Sequence, residues 1–334
     1  MNKLLSVAVI AFTVVAFASC KNSEQQSEST NASDTASHPR VASATFNADT
    51  AYAYVAAQAA LGPRTPGSKA QRDCAAWMQH KLRAFCDTVY RQDATVTGGD
   101  KKQLPCINLI GSIHPNAQRR ILLLTHWDSR PWADEDTKDK DKPIIAADDA
   151  GSGVGVLLEV ARVLKSNPLP AGLGIDIFFT DVEDYGRTEW GENSYCLGTQ
   201  YWAQHPHVPG YKADHGILLD MVGARGSHFP MEQTSSHYAG NWQQHVWEAA
   251  NTAGYSSYFP YQASQGGVTD DHKFVNEMAH IPTIDIIALS DATHSGFPPH
   301  WHTHADNMSV IDKNTLQAVG QTLLQVLTEE GMAL

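Results

Sequence analysis

The sequence predicts a single α/β domain built on a mixed, mostly parallel central sheet flanked by helices. Short apolar runs rich in β-branched and aromatic residues, such as Ile121 to Leu124 and Ile175 to Phe179, read as buried strands. A strong helical pattern (Val154, Val156, Leu157, Val160, Ala161, Leu164) lies between those two runs. Polar residues gather where the strands stop. In Phe178-Phe179-Thr180-Asp181-Val182-Glu183-Asp184, three carboxylates arrive within four positions. Ligands of open α/β sheets bind beyond the carboxyl ends of the strands. Adjacent carboxylates repel unless something positive, such as a metal, sits beside them. A solvated acidic loop is the alternative for this run standing alone.

Composition narrows the function classes. A chain of 334 residues with 42% hydrophobic and 18% charged residues is globular and buries a sizeable core. A net charge of −12 argues against nucleic acid as a partner, because phosphates need a basic face. Residues 1–19 read as a signal peptide, with Lys3 as the positive region and Leu4 to Phe17 as an apolar stretch short for a membrane span. Phe17-Ala18-Ser19-Cys20 resembles a bacterial lipobox, so the protein is expected to be exported and held at a periplasmic membrane surface through lipidated Cys20; a plain signal peptide is the alternative. Residues 20–45, rich in Ser, Thr, Gln, Asn and Glu, read as a flexible tether, and 46–334 as the catalytic domain. Cys74, Cys86, Cys106 and Cys196 show no zinc-ligand spacing, and their spacing selects no disulfide pairing.

The elements follow in order. Asn47 to Leu61 has helical spacing and stops at Gly62-Pro63; Ser68 can cap a second helix running to Phe85. Thr88 to Thr97 and Leu104 to Ile113 alternate as strands around the turn Gly98-Gly99-Asp100. Arg120 to Thr125 is a central strand that delivers His126 and, two residues on, Asp128, a possible ligand and its orienter. Asp148 or Asp149 ahead of the next helix can be a simple cap, although the small residues around them permit close approach of a metal or substrate. Gly198 to His205 reads as a helix. In Gly216 to Gly223, Asp220 interrupts a buried strand and needs a partner or a metal. Trp242 to Ala253 is an amphipathic helix, Ile281 to Ile287 the last core strand, and Lys313 to Leu327 the closing helix.

Strand ends thus offer His126, Asp149, Glu183 with Asp184, Asp220, and a histidine from the His300–His304 cluster. This mixed nitrogen and oxygen set suits zinc. The order resembles the co-catalytic zinc aminopeptidase family. Within it, Phe297-Pro298-Pro299-His300-Trp301-His302-Thr303 and Asp270-Asp271-His272 look like the type II glutaminyl-peptide cyclotransferases. The resemblance implies a zinc aminopeptidase-like fold and one zinc per chain, held by Asp149, Asp184 and His302. It implies Glu183 as general base and acid, Asp220 and Asp270 as a hydrogen-bonded pair positioning the substrate amine, and Trp190 and Trp301 as pocket walls. Asp184 departs from the animal cyclases, which carry glutamate there. The family's cis peptide would fall at Asp149-Ala150. The implied reaction converts the N-terminal glutamine of peptides or proteins to pyroglutamate with release of ammonia. A monomer is expected, touching the membrane only through its anchor. A dinuclear zinc aminopeptidase, with His126 and Asp220 completing a second site, is the competing reading.

Overall fold

A computed structural model of the protein describes Ser43 to Ala333. The signal peptide, Cys20 and most of the tether lie outside the described residues. Gln321 Nε2 donates to Ser43 Oγ and to Ala44 O, at 2.9 Å each.

Six strands form one sheet in the order β1-β2-β4-β3-β5-β6. They are β1 (Thr88–Thr97), β2 (Gln103–Ile113), β3 (Arg119–His126), β4 (Leu173–Thr180), β5 (His215–Asp220) and β6 (Thr283–Ile287). The β1–β2 and β2–β4 pairs are antiparallel, whereas β3, β4, β5 and β6 pair in parallel. The mixed, mostly parallel sheet is therefore as expected.

Period-two alternation sends side chains to both faces of the sheet. Ile121 and Leu123 of β3, Ile175 and Ile177 of β4, and Ile217 and Leu219 of β5 join the larger core. There they meet α1 (Ala48–Ala59), α2 (Lys69–Phe85), α3 (Gly151–Ser166), α5 (Gln233–Ala253) and α7 (Lys313–Met332). Leu122, Leu124, Phe178 and Leu218 face the other side, against Trp202 of α4 (Leu197–Gln204) and Val275, which follows α6 (Asp271–Phe274). Burial on both faces explains why β3 reads as a continuous apolar run and β4 as one broken only by Asp176, whose buried carboxylate pairs with Arg120.

Asn47 and Ser68 cap α1 and α2, accepting from Thr50 N and Gln71 N. Helix α3, by contrast, has no side-chain cap. Asp148 accepts instead from Gly223 N (2.7 Å) and contacts His300 Nε2 (2.8 Å), and Asp149 is left for the site. Two boundaries differ from the sequence reading. Strand β5 ends on Asp220, with Met221 in a left-handed conformation (φ 49), so the carboxylate terminates the strand rather than interrupting it. Helix α5 begins at Gln233, because Glu232 caps it through Thr234 N and Ser235 N, and kinks at Ala239 before the amphipathic part.

Candidate active site

The carboxyl ends of β3, β4 and β5 deliver His126, Glu183 with Asp184, and Asp220 to one side of the sheet. The loop before α3 brings Asp149, and the loop before α7 brings Trp301 and His302. Asp149, Glu183, Asp184, Asp220, Asp270, Trp301 and His302 all line one cleft of about 1430 Å3. Residues far apart along the chain thus meet at one place.

Asp149, Asp184 and His302 each present one ligand atom within 4.8 Å of the others, and all three are buried. His302 Nε2 lies 3.2 Å from Asp184 Oδ1 and 3.7 Å from Asp149 Oδ2. Asp184 Oδ2 is buried and has no hydrogen-bond partner. A buried carboxylate oxygen left without a partner is unfavourable unless a cation completes it. Two carboxylates and one imidazole leave a fourth position open, the arrangement of a catalytic zinc, so the residues present fit that ion. The Asp149-Ala150 peptide is cis, where the resemblance placed it.

Local structure explains how Glu183 and Asp184 are aimed. Val182 adopts φ 56, turning the chain sharply as it leaves β4. Asp128 then receives Glu183 N at 3.1 Å and Asp184 N at 3.2 Å, fixing two successive backbone groups with one carboxylate. The same Asp128 lies 3.4 Å from His126 Nδ1. Behind Asp184, the buried Arg130 donates to Asp184 Oδ1 and O and forks onto Asp134. Burial alone would raise the Asp184 carboxyl, but His302 and Arg130 outweigh it and hold the group at about 2.

Glu183 behaves oppositely. Burial pushes its carboxyl well above the usual carboxylate range, against a downward pull from His126. Its Oε1 receives the Cys196 thiol at 3.3 Å. Asp220 and Asp270 are also raised, chiefly by burial. His126 is held well above its ordinary value: burial lowers it, but Asp128, Asp149 and Asp220 more than compensate.

Two expectations require correction. No hydrogen bond joins Asp220 to Asp270 among the described residues. Asp220 Oδ1 faces His126 Nε2 at 3.4 Å, while Asp270 caps α6 with one oxygen and approaches His272 and Asp285. Trp190 does not line the cleft. The short turn Thr188–Trp190 folds its indole onto Gly99 and against Trp132 and Tyr185, leaving Thr188, Gly191 and Tyr195 on the cleft side. Trp301 does line it, stacked on the His302 ring at 3.6 Å between centroids and packed on Phe297 at 4.5 Å.

A second constellation, His126, Asp149 and Asp220, also converges within 4.8 Å. There, however, His126 Nε2 lies 2.9 Å from Asp149 Oδ1, the spacing of a direct hydrogen bond. Sequence reasoning passed over Arg130, Asp134 and the Cys196 contact. A basic residue four positions after the strand-end histidine was the available signal for Arg130.

An α/β sheet with a buried metal-type constellation beyond its strand ends defines a metallohydrolase-like scaffold, and the chain belongs to peptidase family M28, which it matches over residues 108–327. It is similar to the crystal structure of Bacteroides thetaiotaomicron glutaminyl cyclase bound to N-acetylhistamine, with a TM-score of 0.83 and 46% identity, covering 86% of this chain and 99% of that one. A Zn-dependent exopeptidase from Parabacteroides distasonis matches with the same TM-score, identity and coverage. Among curated proteins, the glutaminyl-peptide cyclotransferase of Gloydius blomhoffii is 27% identical over 300 residues, spanning 80% of this chain and 76% of that protein.

Proposed function

We propose that the chain is a zinc-dependent glutaminyl-peptide cyclotransferase, converting the N-terminal glutamine of peptides or proteins to pyroglutamate and ammonia. The observation that carries this reading is the meeting of Asp149, Asp184 and His302 within 4.8 Å in a cleft that also holds Glu183, Asp220, Asp270 and Trp301. The likeness to named glutaminyl cyclases at 46% identity supports it.

Asp149, Asp184 and His302 would hold one zinc ion, which when bound would supply Lewis-acid polarisation of the substrate's γ-carbonyl and positive charge for the oxygen on which negative charge develops. Glu183 accepts a proton from the α-amine as it attacks the γ-carbon, then returns a proton to the departing amide nitrogen. Atoms balance: one C–N bond forms, one breaks, and ammonia leaves. Asp220 and Asp270 receive the amine on the cleft wall. Both reacting groups belong to one residue, so alignment is the main task, and the Trp301 face restricts the folded-back side chain.

The dinuclear aminopeptidase reading draws support from the convergence of His126, Asp149 and Asp220 and from the exopeptidase relative. The direct His126–Asp149 contact favours a single ion. Incubating the purified protein with a glutaminyl dipeptide separates the two. Pyroglutamate and ammonia appearing together, abolished by a chelator and restored by zinc, with about one zinc per chain, are expected. Free glutamine and two zinc ions would establish the peptidase instead.

The lipobox-like Phe17-Ala18-Ser19-Cys20 supports export and anchoring in the periplasm. Labelled fatty acid is expected to enter the wild-type chain and not Cys20→Ala.

A further inference from the structure

Beneath the cleft wall lies a buried line of side chains that the reaction as described does not use. His272 of α6 is fully buried. Its Nε2 is 3.3 Å from Glu232 Oε2, and its Nδ1 is 3.7 Å from Asp285 Oδ2. Asp285, on β6, is also fully buried. It brings a ligand-type atom within 4.8 Å of both His272 and Asp270. Asp270 lines the cleft, whereas Glu232, His272 and Asp285 do not.

The far end of this line is fixed. Glu232 Oε1 receives Thr234 N at 2.8 Å and Val268 N at 2.7 Å; Oε2 receives Ser235 N at 2.6 Å and Ser235 Oγ at 2.8 Å. Ser235 Oγ in turn receives Asp285 N at 2.9 Å, so the same hydroxyl ties the two carboxylate residues together. The near end is open. Asp270 spends Oδ1 on Asp271 N, and its Oδ2 has no hydrogen-bond partner. Both ring nitrogens of His272 and both carboxyl oxygens of Asp285 likewise lack a partner of good hydrogen-bond geometry. Buried polar groups in that state are costly. The His272 ring faces the Asp285 carboxyl, and Asp285, which burial holds well above the usual carboxylate range, carries the proton that joins it to the Asp270 carboxylate. An imidazole set between a fixed carboxylate and a working group holds that group in one orientation, the role such a pairing plays behind metal-bound and catalytic histidines.

We propose that His272 is a positioning residue: backed by Glu232, it holds Asp285, and through it fixes the Asp270 carboxylate that receives the substrate's α-amine. The inference rests on the cyclotransferase reading. It predicts that removing the imidazole loosens the amine's seat while leaving the Asp149, Asp184 and His302 site intact. The three side chains are also close enough to share a cation, which would draw Asp270 Oδ2 away from the cleft; metal content therefore belongs in the test.

The experiment compares zinc-loaded wild type with His272→Leu, His272→Asn and Glu232→Gln. It measures kcat and KM for a glutaminyl dipeptide, total metal per chain, affinity for N-acetylhistamine as an imidazole probe, and thermal midpoint. His272→Leu is expected to lose about tenfold or more in kcat/KM, with zinc content and imidazole affinity unchanged. His272→Asn, whose amide can take the Nδ1 position, is expected to recover most of that loss. Glu232→Gln, which keeps the side chain's size but turns one acceptor of the cap into a donor, is expected to lose several-fold in kcat/KM, with the thermal midpoint reporting the weakened cap separately, and it carries the test if His272→Leu does not fold. A folded His272→Leu or Glu232→Gln within twofold of wild type overturns the proposal. So does His272→Asn as impaired as His272→Leu, or a second metal equivalent that disappears with His272. Wild type that makes no pyroglutamate refutes the cyclotransferase reading; active wild type with unaffected variants refutes this inference alone.

Discussion

Glu183 shows how a single side chain is prepared for proton transfer. The left-handed Val182 swings it off β4, Asp128 pins its backbone N–H, and the Cys196 thiol touches one carboxyl oxygen. Replacing it by glutamine preserves the size and the buried position but removes the group that exchanges a proton. Glu183→Gln is therefore expected to lose about 10²–10⁴ in kcat while retaining zinc, read by turnover and metal analysis on the same sample. Loss of zinc along with activity would make Glu183 a ligand rather than a base. At this scale the sequence was informative wherever a residue type carries its own chemistry: a carboxylate pair at a strand end and a histidine after tryptophan announce themselves. Arg130 and Cys196 did not, because their roles depend on partners 54 and 13 residues away along the chain. Nor did the orientation of Trp190, which is set by contact with Gly99 and the ring of Tyr185.

At the level of elements, α3 is the piece that joins the strand ends to the metal-type site. It starts immediately after the Asp149-Ala150 peptide and lies against β3 and β5, the strands that deliver His126 and Asp220. Gly153 makes that approach possible. A Cβ there would fall 2.2 Å from Thr125 Oγ1 and 3.0 Å from Leu219 O, one contact on each strand. The backbone carbonyl cannot move aside without disturbing β5. Gly153→Ala is thus expected to destabilise the fold by about 1–3 kcal/mol, seen as a lower urea midpoint with an unchanged slope. A midpoint equal to wild type would mean that α3 can shift off the sheet freely. The apolar pattern made α3 and the four parallel strands readable, since both faces of the sheet are covered and the runs are apolar apart from Asp176 inside β4 and Asp285 inside β6. Short or unusual elements were less so. Asp271–Phe274 and the π-helical turn Val275–Ala279 lack a full period of apolar spacing, and the first turns of α5 are Ser- and Thr-rich, formed only because Glu232 satisfies their free N–H groups.

For the whole molecule, pH acts at sites remote from the cleft as well as within it. His245 of α5 lies 3.3 Å from Glu330 Oε1 of α7, and Glu330 Oε2 receives Arg119 of β3 at 2.6 Å, so this cluster joins both long helices to the sheet. The Glu330 contact raises His245 above its ordinary 6.5, and the contact with His245 lowers Glu330 below its ordinary 4.5. The signs fix the window. A raised histidine stabilises the fold fully below its unfolded value and loses that contribution as pH rises through its folded value; a lowered carboxylate contributes above its unfolded value and loses it as pH falls. The pair therefore stabilises most between about pH 4.5 and 6.5. His245 keeps 31% side-chain exposure, so water screens the interaction; the contribution is about 0.5–1 kcal/mol. His245→Gln is expected to melt about 1–2 °C below wild type at pH 5.5 and together with it at pH 9, where the wild-type imidazole is neutral. Because both proteins carry the same catalytic cleft, acid release of a metal affects them equally and cancels in the difference. A gap that persists undiminished at pH 9 would assign the loss to packing of the ring against Trp242 instead of to its charge.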